Sequence, residues 1–172
     1  MDELSDVTVP RIVVGVDGSE HARWALVWAM EEAASRRVAL DVVCAFETHV
    51  SMTGLPVSLP AQVVHPEVMA REMKEVLERE IDWAEAKTEA RPVLVRPMAI
   101  EGRPTTVLLR CAEDAELLVV GAHGRGRMAG MLLGSVSNFC SRHATVPVVV
   151  VPAPHRSQVY PRPYRVPSRA GV

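Results

Sequence analysis

The 172-residue sequence is poor in aromatic side chains and cysteine, and it has almost no net charge. Aromatic residues make up only 4%, so the core must be built mainly from Val, Leu, Ala and Met, and a stacked flavin would find few partners. The formal net charge of -2 provides no field that would attract nucleic acid or an anionic membrane. No apolar run approaches the roughly 18 residues of a membrane span. We therefore expect neither nucleic acid nor a membrane as a partner.

The three cysteines, Cys44, Cys111 and Cys140, are odd in number and lack the paired spacing of a disulfide framework or a zinc site. The six histidines include no pair four residues apart, which predicts that there is no metal site. Residues 1 to 9 contain three acids and nothing typical of a secretory leader. These features favour a reducing cytoplasmic location.

Short apolar runs alternate with helical periodicities from residue 11 to residue 151. Apolar runs predict strands over 11–16, 38–46, 93–98, 117–120 and 146–151. Helical spacing predicts helices that begin near Ser19, Pro66, Pro104 and Ser135, the last of them running through Val136, Phe139, Cys140 and His143. This alternation implies right-handed crossovers. We therefore predict a single-domain α/β fold, an open, parallel, five-stranded, Rossmann-like sheet with helices on both faces.

The ends of the chain differ in composition from its middle. We predict one domain over residues 10–152, preceded by an extension over 1–9 and followed by a Pro/Arg-rich tail over 153–172. The tail has four arginines and no acid, so it carries +4 while the rest of the chain carries -6. The irregular stretch 47–65 is long for a compact domain, and such stretches often cover a site.

A glycine-rich segment from Gly121 to Ser135 joins the fourth predicted strand to the last helix. Backbone N–H groups approach an oxyanion closely where side chains are absent, and a helix N-terminus adds unpaired donors and partial positive charge. The segment is therefore predicted to bind phosphate. The alternative is that the glycines only turn the chain and Ser135 only caps the helix.

Asp17 follows the first predicted strand, as the glycine segment follows the fourth. The carboxyl ends of parallel strands lie at one edge of a sheet, where ligands bind in open α/β folds, so the two motifs are expected to meet. Asp17 would then bind ribose hydroxyls or help to hold a divalent cation. Its alternative role is that of a turn residue or helix cap.

The spacing Gly121-x2-Gly124-x9-Gly134-Ser135 resembles the nucleotide-binding signature of the universal stress protein family, specifically its ATP-binding branch. The resemblance extends to residues 11–19 and 146–151, and so covers roughly residues 10 to 152. It implies an adenine nucleotide alpha hydrolase-like fold that binds ATP together with magnesium. It also implies a homodimer formed by antiparallel pairing of the last strand, Val146 to Val151, with its copy.

The resemblance also suggests which residues hold the nucleotide. Main-chain groups of the glycine signature and the Ser135 hydroxyl would bind ribose and phosphates, and the ends of the first two strands would enclose adenine. Arg125 and Arg127 are candidate phosphate ligands or solvated loop charges, and His123 is interpreted as a loop residue, with contact to phosphate as the alternative. The predicted nucleotide-binding residues are Gly15, Val16, Asp17, Ala45, Val120, Gly121, Gly124, Arg125, Gly134, Ser135, Val136 and Ser137, with Cys44 as a further candidate beside adenine.

The sequence thus favours a cytoplasmic, ATP-binding regulatory module of the stress response rather than a fast enzyme. We predict no catalytic residues, because no water-activating base or arginine finger is evident. Slow hydrolysis or autophosphorylation is compatible with such a module, and the hydroxyls near the phosphates would be those of Ser19, Ser135 and Ser137. The main alternative is a dimeric interaction module of the same fold that does not bind nucleotide. A flavodoxin-like carrier and an adenylating ligase are disfavoured by the few aromatics and by the missing pyrophosphate loop.

Overall fold

A computed structural model describes residues 9–47, 66–90, 93–124 and 132–154. Several predicted features lie outside the described residues. These are residues 1–8 of the N-terminal extension, residues 48–65 of the irregular stretch, Arg125 and Arg127, and residues 155–172 of the tail.

Five strands and four helices alternate along the described residues. In chain order they are β1 (Arg11–Gly15), α1 (Glu20–Arg36), β2 (Ala39–Phe46), α2 (Pro66–Glu85), β3 (Val95–Glu101), α3 (Pro104–Ala112), β4 (Leu117–Gly121), α4 (Ser135–His143) and β5 (Val148–Val151). Each of the first four strands is followed by a helix, which brings the chain back to the same end of the sheet before the next strand.

The strands form one parallel sheet in the order β3-β2-β1-β4-β5, which confirms the predicted fold. In the central register Val14 of β1 lies beside Val42 of β2 and Val119 of β4. After β1 the chain builds outward through β2 to β3, then crosses back to add β4 and β5 on the other side. A crevice therefore opens between β1 and β4 at their carboxyl ends.

Side chains of the strands alternate between the two faces of the sheet, and each face has its own core. Ile12 and Val14 of β1 pack in one buried cluster with apolar residues of α1 and α2. Val13, between them, packs in a second cluster with α3 and α4. Helices thus cover both faces, as predicted. Burying both faces explains why β1 and β4 have continuous apolar sequences.

Some element ends differ from those predicted. The strand predicted over 93–98 is shifted and runs from Val95 to Glu101 because it pairs with β2 along its length, as far as Phe46 beside Glu101. The last strand begins at Val148, two residues later than predicted. Pro147 contributes only its carbonyl oxygen to the ladder, which accepts a hydrogen bond from Leu118 N.

One side chain departs from the apolar positions that the helical spacing predicted. Phe139 of α4 is 42% exposed and stacks on His143, with ring centroids 4.0 Å apart, while its neighbour Cys140 is fully buried. For the start of α2 the spacing allowed either Val68 or Met69 on the apolar stripe, and the structure has Val68 42% exposed and Met69 partly buried. The apolar stripe of α2 therefore becomes buried only from its middle onward, at Leu77.

A buried charge lies within the otherwise apolar strand β2. The Asp41 side chain is only 7% exposed; one carboxylate oxygen lies 2.5 Å from Arg96 Nε and the other 3.3 Å from Arg11 Nε. Arg11 also donates to the backbone oxygens of Cys111, near the end of α3, and of Asp114, just after it. The carboxylate therefore joins β1, β2 and β3 and is tied to the end of α3.

None of the described helices is long and apolar enough to cross a membrane.

Candidate nucleotide site

A pocket of about 240 Å³ occupies the crevice between β1 and β4. It is bounded by the carboxyl ends of β1, β2 and β4, the start of α4, and α3 above the sheet. The structure places eleven of the twelve predicted binding residues around it, and Arg125 lies outside the described residues. The lining residues are Gly15, Val16, Asp17, Ala22, Val43, Ala45, Pro104, Leu108, Val120, Gly121, His123, Gly124, Gly134, Ser135, Val136 and Ser137.

The N-terminus of α4 forms the polar wall of the pocket. Gly134 is the N-cap and Ser135 is the first helical residue, so the Ser135, Val136 and Ser137 amides precede the first helical hydrogen bond, which Asn138 N donates to Gly134 O. Among the described residues, none of these three amides has an acceptor. The first turn contains no acidic side chain, so the partial positive charge of the helix end is not neutralised there.

The glycines of the signature allow the chain to pack closely on itself. A Cβ at Gly124 would lie 2.7 Å from Asp17 Oδ2, and one at Gly121 would lie 2.8 Å from the backbone nitrogen of Ala22 in α1. Gly134 donates its N–H to Ala122 O over 2.7 Å and is therefore not a free donor for a ligand. Glycine at 121 and 124 is thus required by close packing around the pocket.

Asp17 and Ser19 join the first strand to the glycine segment. Asp17 Oδ1 accepts a hydrogen bond of 3.0 Å from Ser19 N across a turn in which Gly18 has the left-handed φ of 78°. Ser19 caps α1 by accepting from Ala22 N, and its hydroxyl donates to His123 O at 3.3 Å. Asp17 therefore has the turn role and also lines the pocket beside Gly124. The Ser19 hydroxyl is engaged in structural hydrogen bonds.

The opposite wall of the pocket is apolar. Val43 and Ala45 of β2 face it, and Leu108 of α3 covers Gly15, where an added Cβ would lie 2.9 Å from Leu108 Cδ1. Sequence reasoning missed Val43, Pro104 and Leu108. Strand alternation could have identified Val43, because it shares a face with Ala45. Cys44 instead packs in the core on the other face of the sheet.

Two residues near α4 have roles that the sequence did not indicate. His123, interpreted as a loop residue, lines the pocket, and its ring lies edge-to-face with that of His21 at a centroid distance of 5.2 Å. Ser137 is 2% exposed, and its hydroxyl lies 2.9 Å from Ala122 O and 3.0 Å from Gly134 O. The Ser137 side chain therefore holds α4 against the loop after β4, and only its amide faces the pocket as a possible donor.

The cysteine thiols of α3 and α4 have raised pKa values. Burial raises the pKa of the Cys140 thiol, which points from α4 into the core, and burial is also the main cause of the raised pKa of Cys111 in α3. In the part of the chain that the structure describes, no group of three or more His, Cys, Asp or Glu side chains is arranged to hold a metal ion. The pocket combines an apolar wall, unpaired amides and one carboxylate.

The fold and the pocket define a class of protein, a parallel α/β domain whose pocket lies at the topological switch point, with a helix N-terminus facing it. The family model described as the universal stress protein family matches residues 8–152, and the chain belongs to that family.

Individual relatives agree with this assignment. A universal stress protein of Mycobacterium tuberculosis is 34% identical over 166 residues, which cover 94% of this chain and 53% of the relative. The chain spans about half the length of the curated relatives it matches.

Solved structures share the fold. A universal stress protein in complex with cAMP has a TM-score of 0.60 and 26% identity, covering 85% of this chain and 98% of that one. A family member from Arabidopsis thaliana with AMP bound has a TM-score of 0.55 and 19% identity, over 88% of this chain and 97% of that one.

Proposed function

We propose that this protein binds an adenine nucleotide, with ATP as its ligand, and acts in the cytoplasm as a nucleotide-dependent regulatory module of the stress response. The observation that carries the proposal is the pocket between β1 and β4, where unpaired amides of α4 lie opposite an apolar wall. A nucleotide has the same two parts, a flat base and a charged phosphate chain. The 26%-identical neighbour in complex with cAMP supports an adenine nucleotide as the ligand class.

The phosphate end of the ligand would lie at the start of α4. Three amides, of Ser135, Val136 and Ser137, are available there, and hydrogen bonds to charged groups are worth about 1.5–3 kcal/mol each. Three such bonds support micromolar binding after the cost of association. The Ser135 hydroxyl is exposed and adds a further donor at the same point.

The base and ribose would occupy the apolar end of the pocket. Ala45, Val120 and Leu108 provide surfaces that a purine can contact without losing hydrogen bonds to water at its faces. The volume of about 240 Å³ is below the 300–1,000 Å³ typical of pockets that enclose a whole ligand. We infer that it holds the adenosine part, with the phosphates extending over α4.

Magnesium would accompany the phosphates of ATP. Asp17 is the one carboxylate among the described lining residues, and carboxylate oxygen is a suitable Mg²⁺ ligand. Because one of its oxygens is held by Ser19 N, the carboxylate has a fixed orientation beside Gly124. The same oxygens would suit ribose hydroxyls.

Binding rather than rapid turnover fits the side chains of the pocket. Ser19 and Ser137 use their hydroxyls in hydrogen bonds within the protein, which leaves Ser135 as the exposed hydroxyl beside the amides. If slow autophosphorylation accompanies binding, Ser135 is the acceptor we propose. A protein partner would then recognise a nucleotide-dependent change in this region.

Thermal unfolding with and without ligand tests the proposal. A ligand that binds only the folded state raises stability by RT ln(1 + [L]/Kd), which is about 2.7 kcal/mol at a concentration of one hundred Kd. We expect ATP with magnesium to raise the melting temperature and GTP to raise it less. An unchanged melting temperature with millimolar adenine nucleotides would favour the alternative, an interaction module of the same fold that does not bind nucleotide.

We also propose that two copies pair through β5. This strand is at the edge of the sheet, hydrogen-bonded to β4 on one side, and consists of four valines. An apolar edge strand is normally covered, because its unpaired backbone groups promote association. Antiparallel pairing of the segment Val146 to Val151 with its copy would cover it in a homodimer.

A further inference from the structure

A second groove lies far from the nucleotide pocket, along the outer side of β3. It has a volume of about 420 Å³ and is formed by the second half of α2 and the first half of β3 with the residues before it. Its floor is apolar and its rim is acidic. The floor consists of Ile81, Val93, Val95 and Pro97, with Leu94 beside them, and the rim consists of Glu78, Asp82 and Glu85.

The three rim carboxylates lie along one side of α2. Spacings of four and three residues put Glu78, Asp82 and Glu85 on one stripe of α2. All three are exposed, and within the described residues none of them forms an ion pair. By contrast, Glu80 on the same helix is held by Arg23 at 2.6 Å. Like charges on one stripe repel one another, so the rim is suited to a cationic partner.

The floor of the groove is apolar and lies at an edge of the sheet. Leu94 is 62% exposed, although it adjoins Val95 in the edge strand. Pro97 has no N–H to offer to an added strand. A partner that docks through side chains therefore suits this edge better than one that extends the sheet. A partner that fits this groove therefore combines positive charge with an apolar or aromatic surface.

The chain itself contains a segment of this composition. Residues 155–172 include four arginines, two tyrosines and three prolines, and no acid. In a polyproline II conformation, at about 3.1 Å per residue, Arg165 and Arg169 would be about 12 Å apart. On α2, at about 1.5 Å per residue, Glu78 and Glu85 are about 10.5 Å apart. The two spacings are similar enough for both arginines to reach the rim.

The length of the segment is also sufficient. Pro154 follows β5, on the opposite side of the sheet from β3. Four strand intervals of about 4.8 Å separate those two edges, or about 19 Å. Eighteen residues at about 3.1 Å each span about 56 Å, which allows for a path around the helices as well as across the sheet.

We propose that residues 155–172 bind in the groove between α2 and β3 of the same chain, with arginines paired to Glu78, Asp82 and Glu85 and Tyr164 on the apolar floor. The basic segment thereby neutralises the acidic stripe and covers Leu94. This contact is independent of nucleotide binding and joins the two outer strands of the sheet.

Photo-crosslinking in the full chain tests this contact. With Tyr164 replaced by p-benzoylphenylalanine, we expect cross-links to residues 78–97, mapped by mass spectrometry. The triple change E78Q/D82N/E85Q should lower the cross-link yield about tenfold, because three ion pairs are lost. A matched control, E72Q/E113Q/D114N, removes the same charge from exposed positions outside the groove and should leave the yield unchanged.

Mixing isotopically light and heavy protein shows whether the contact lies within one chain. We expect cross-linked peptide pairs from one isotopic form only. Pairs that join a light and a heavy chain exclusively would overturn the proposal, since the occupant would then be a second copy. Cross-links that fall elsewhere on the surface, or an equal loss of yield in the two triple variants, would overturn it as well.

Discussion

At the scale of single residues, Gly124 shows how glycine shapes the proposed nucleotide site. Replacing it with valine puts a Cβ 2.7 Å from Asp17 Oδ2, so the loop or the carboxylate must move. We expect Gly124→Val to abolish the ATP-induced rise in melting temperature, since the change lies on the pocket wall. Differential scanning fluorimetry with and without ATP and magnesium measures this.

The matched control for that change is Ala86→Val, which adds a branched side chain at an exposed position after α2. It should keep the full ATP-induced shift. Far-UV circular dichroism should show that both variants retain the fold. An unaltered response of Gly124→Val to ATP would show that the nucleotide does not use this loop.

Asp41 provides a second prediction, one about stability. Replacing Asp41 with alanine leaves Arg11 and Arg96 without their shared carboxylate in a partly buried place, and Arg11 has only 17% of its side chain exposed. Because the arginines retain some contact with water, we expect a cost of about 1–3 kcal/mol, below that of breaking a fully buried pair. Urea denaturation measures it.

Arg96→Ala is the companion variant. It removes the more exposed arginine and leaves Asp41 paired with Arg11, so its cost should be the smaller of the two. If the two substitutions cost the same, or if Asp41→Ala were neutral, the carboxylate would not be joining the strands as described.

Single residues also show what the sequence could and could not predict about the site. The glycine spacing and the ends of two apolar strands led to eleven residues that line the pocket, because strand order brings those ends together. Leu108 and Pro104 were missed, since no local pattern says which part of a crossing helix overlies a given strand. Cys44 was named beside adenine together with its neighbour Ala45, although adjacent residues of a strand point to opposite faces, and its alternative role as a core residue is the one that the structure shows.

At the scale of elements, helical and strand periodicity predicted all nine described elements, and the errors are at their ends. The shift of β3, by two residues at its start and three at its end, comes from pairing with β2, a nonlocal interaction that a single apolar run does not encode. The exposure of Phe139 has a similar cause. Its position in α4 fits the apolar spacing, but the sheet beneath offers space only to its neighbour Cys140.

The N-terminus of α4 gives an element-scale prediction in which stability and binding change in opposite directions. Ser135→Glu adds negative charge at the first helical residue, which is worth about 0.3–1 kcal/mol to the helix. The same charge repels phosphate from the Ser135, Val136 and Ser137 amides. We therefore expect a higher melting temperature without ligand and at least about tenfold weaker ATP binding, one factor of ten being 1.4 kcal/mol.

Ser135→Gln is the control for this change, because it adds a side chain of similar size without charge. Isothermal titration calorimetry should show weaker ATP binding for Ser135→Glu than for Ser135→Gln. If both variants bind ATP equally well, the phosphates do not lie at this helix end. Opposite effects on stability and on binding cannot arise from simple misfolding.

At the scale of the whole molecule, β5 determines whether the proposed dimer can form. Leu118 N donates to Pro147 O and Ala122 N donates to Val151 O, so the odd-numbered residues of β5 face β4. Val150, between them, directs its N–H away from β4 toward the open edge. Val150→Pro removes this donor while leaving the ladder to β4 in place, and proline is tolerated at such an edge.

We therefore expect the unmodified protein to have the mass of a dimer in multi-angle light scattering at tens of micromolar and Val150→Pro to have the mass of a monomer. Val150→Thr retains the N–H and a branched side chain, so it should remain dimeric. On dilution the melting temperature of the parent should fall, whereas that of Val150→Pro should stay constant, because a monomer's stability does not depend on concentration. A parent protein with the mass of a monomer would contradict pairing through β5.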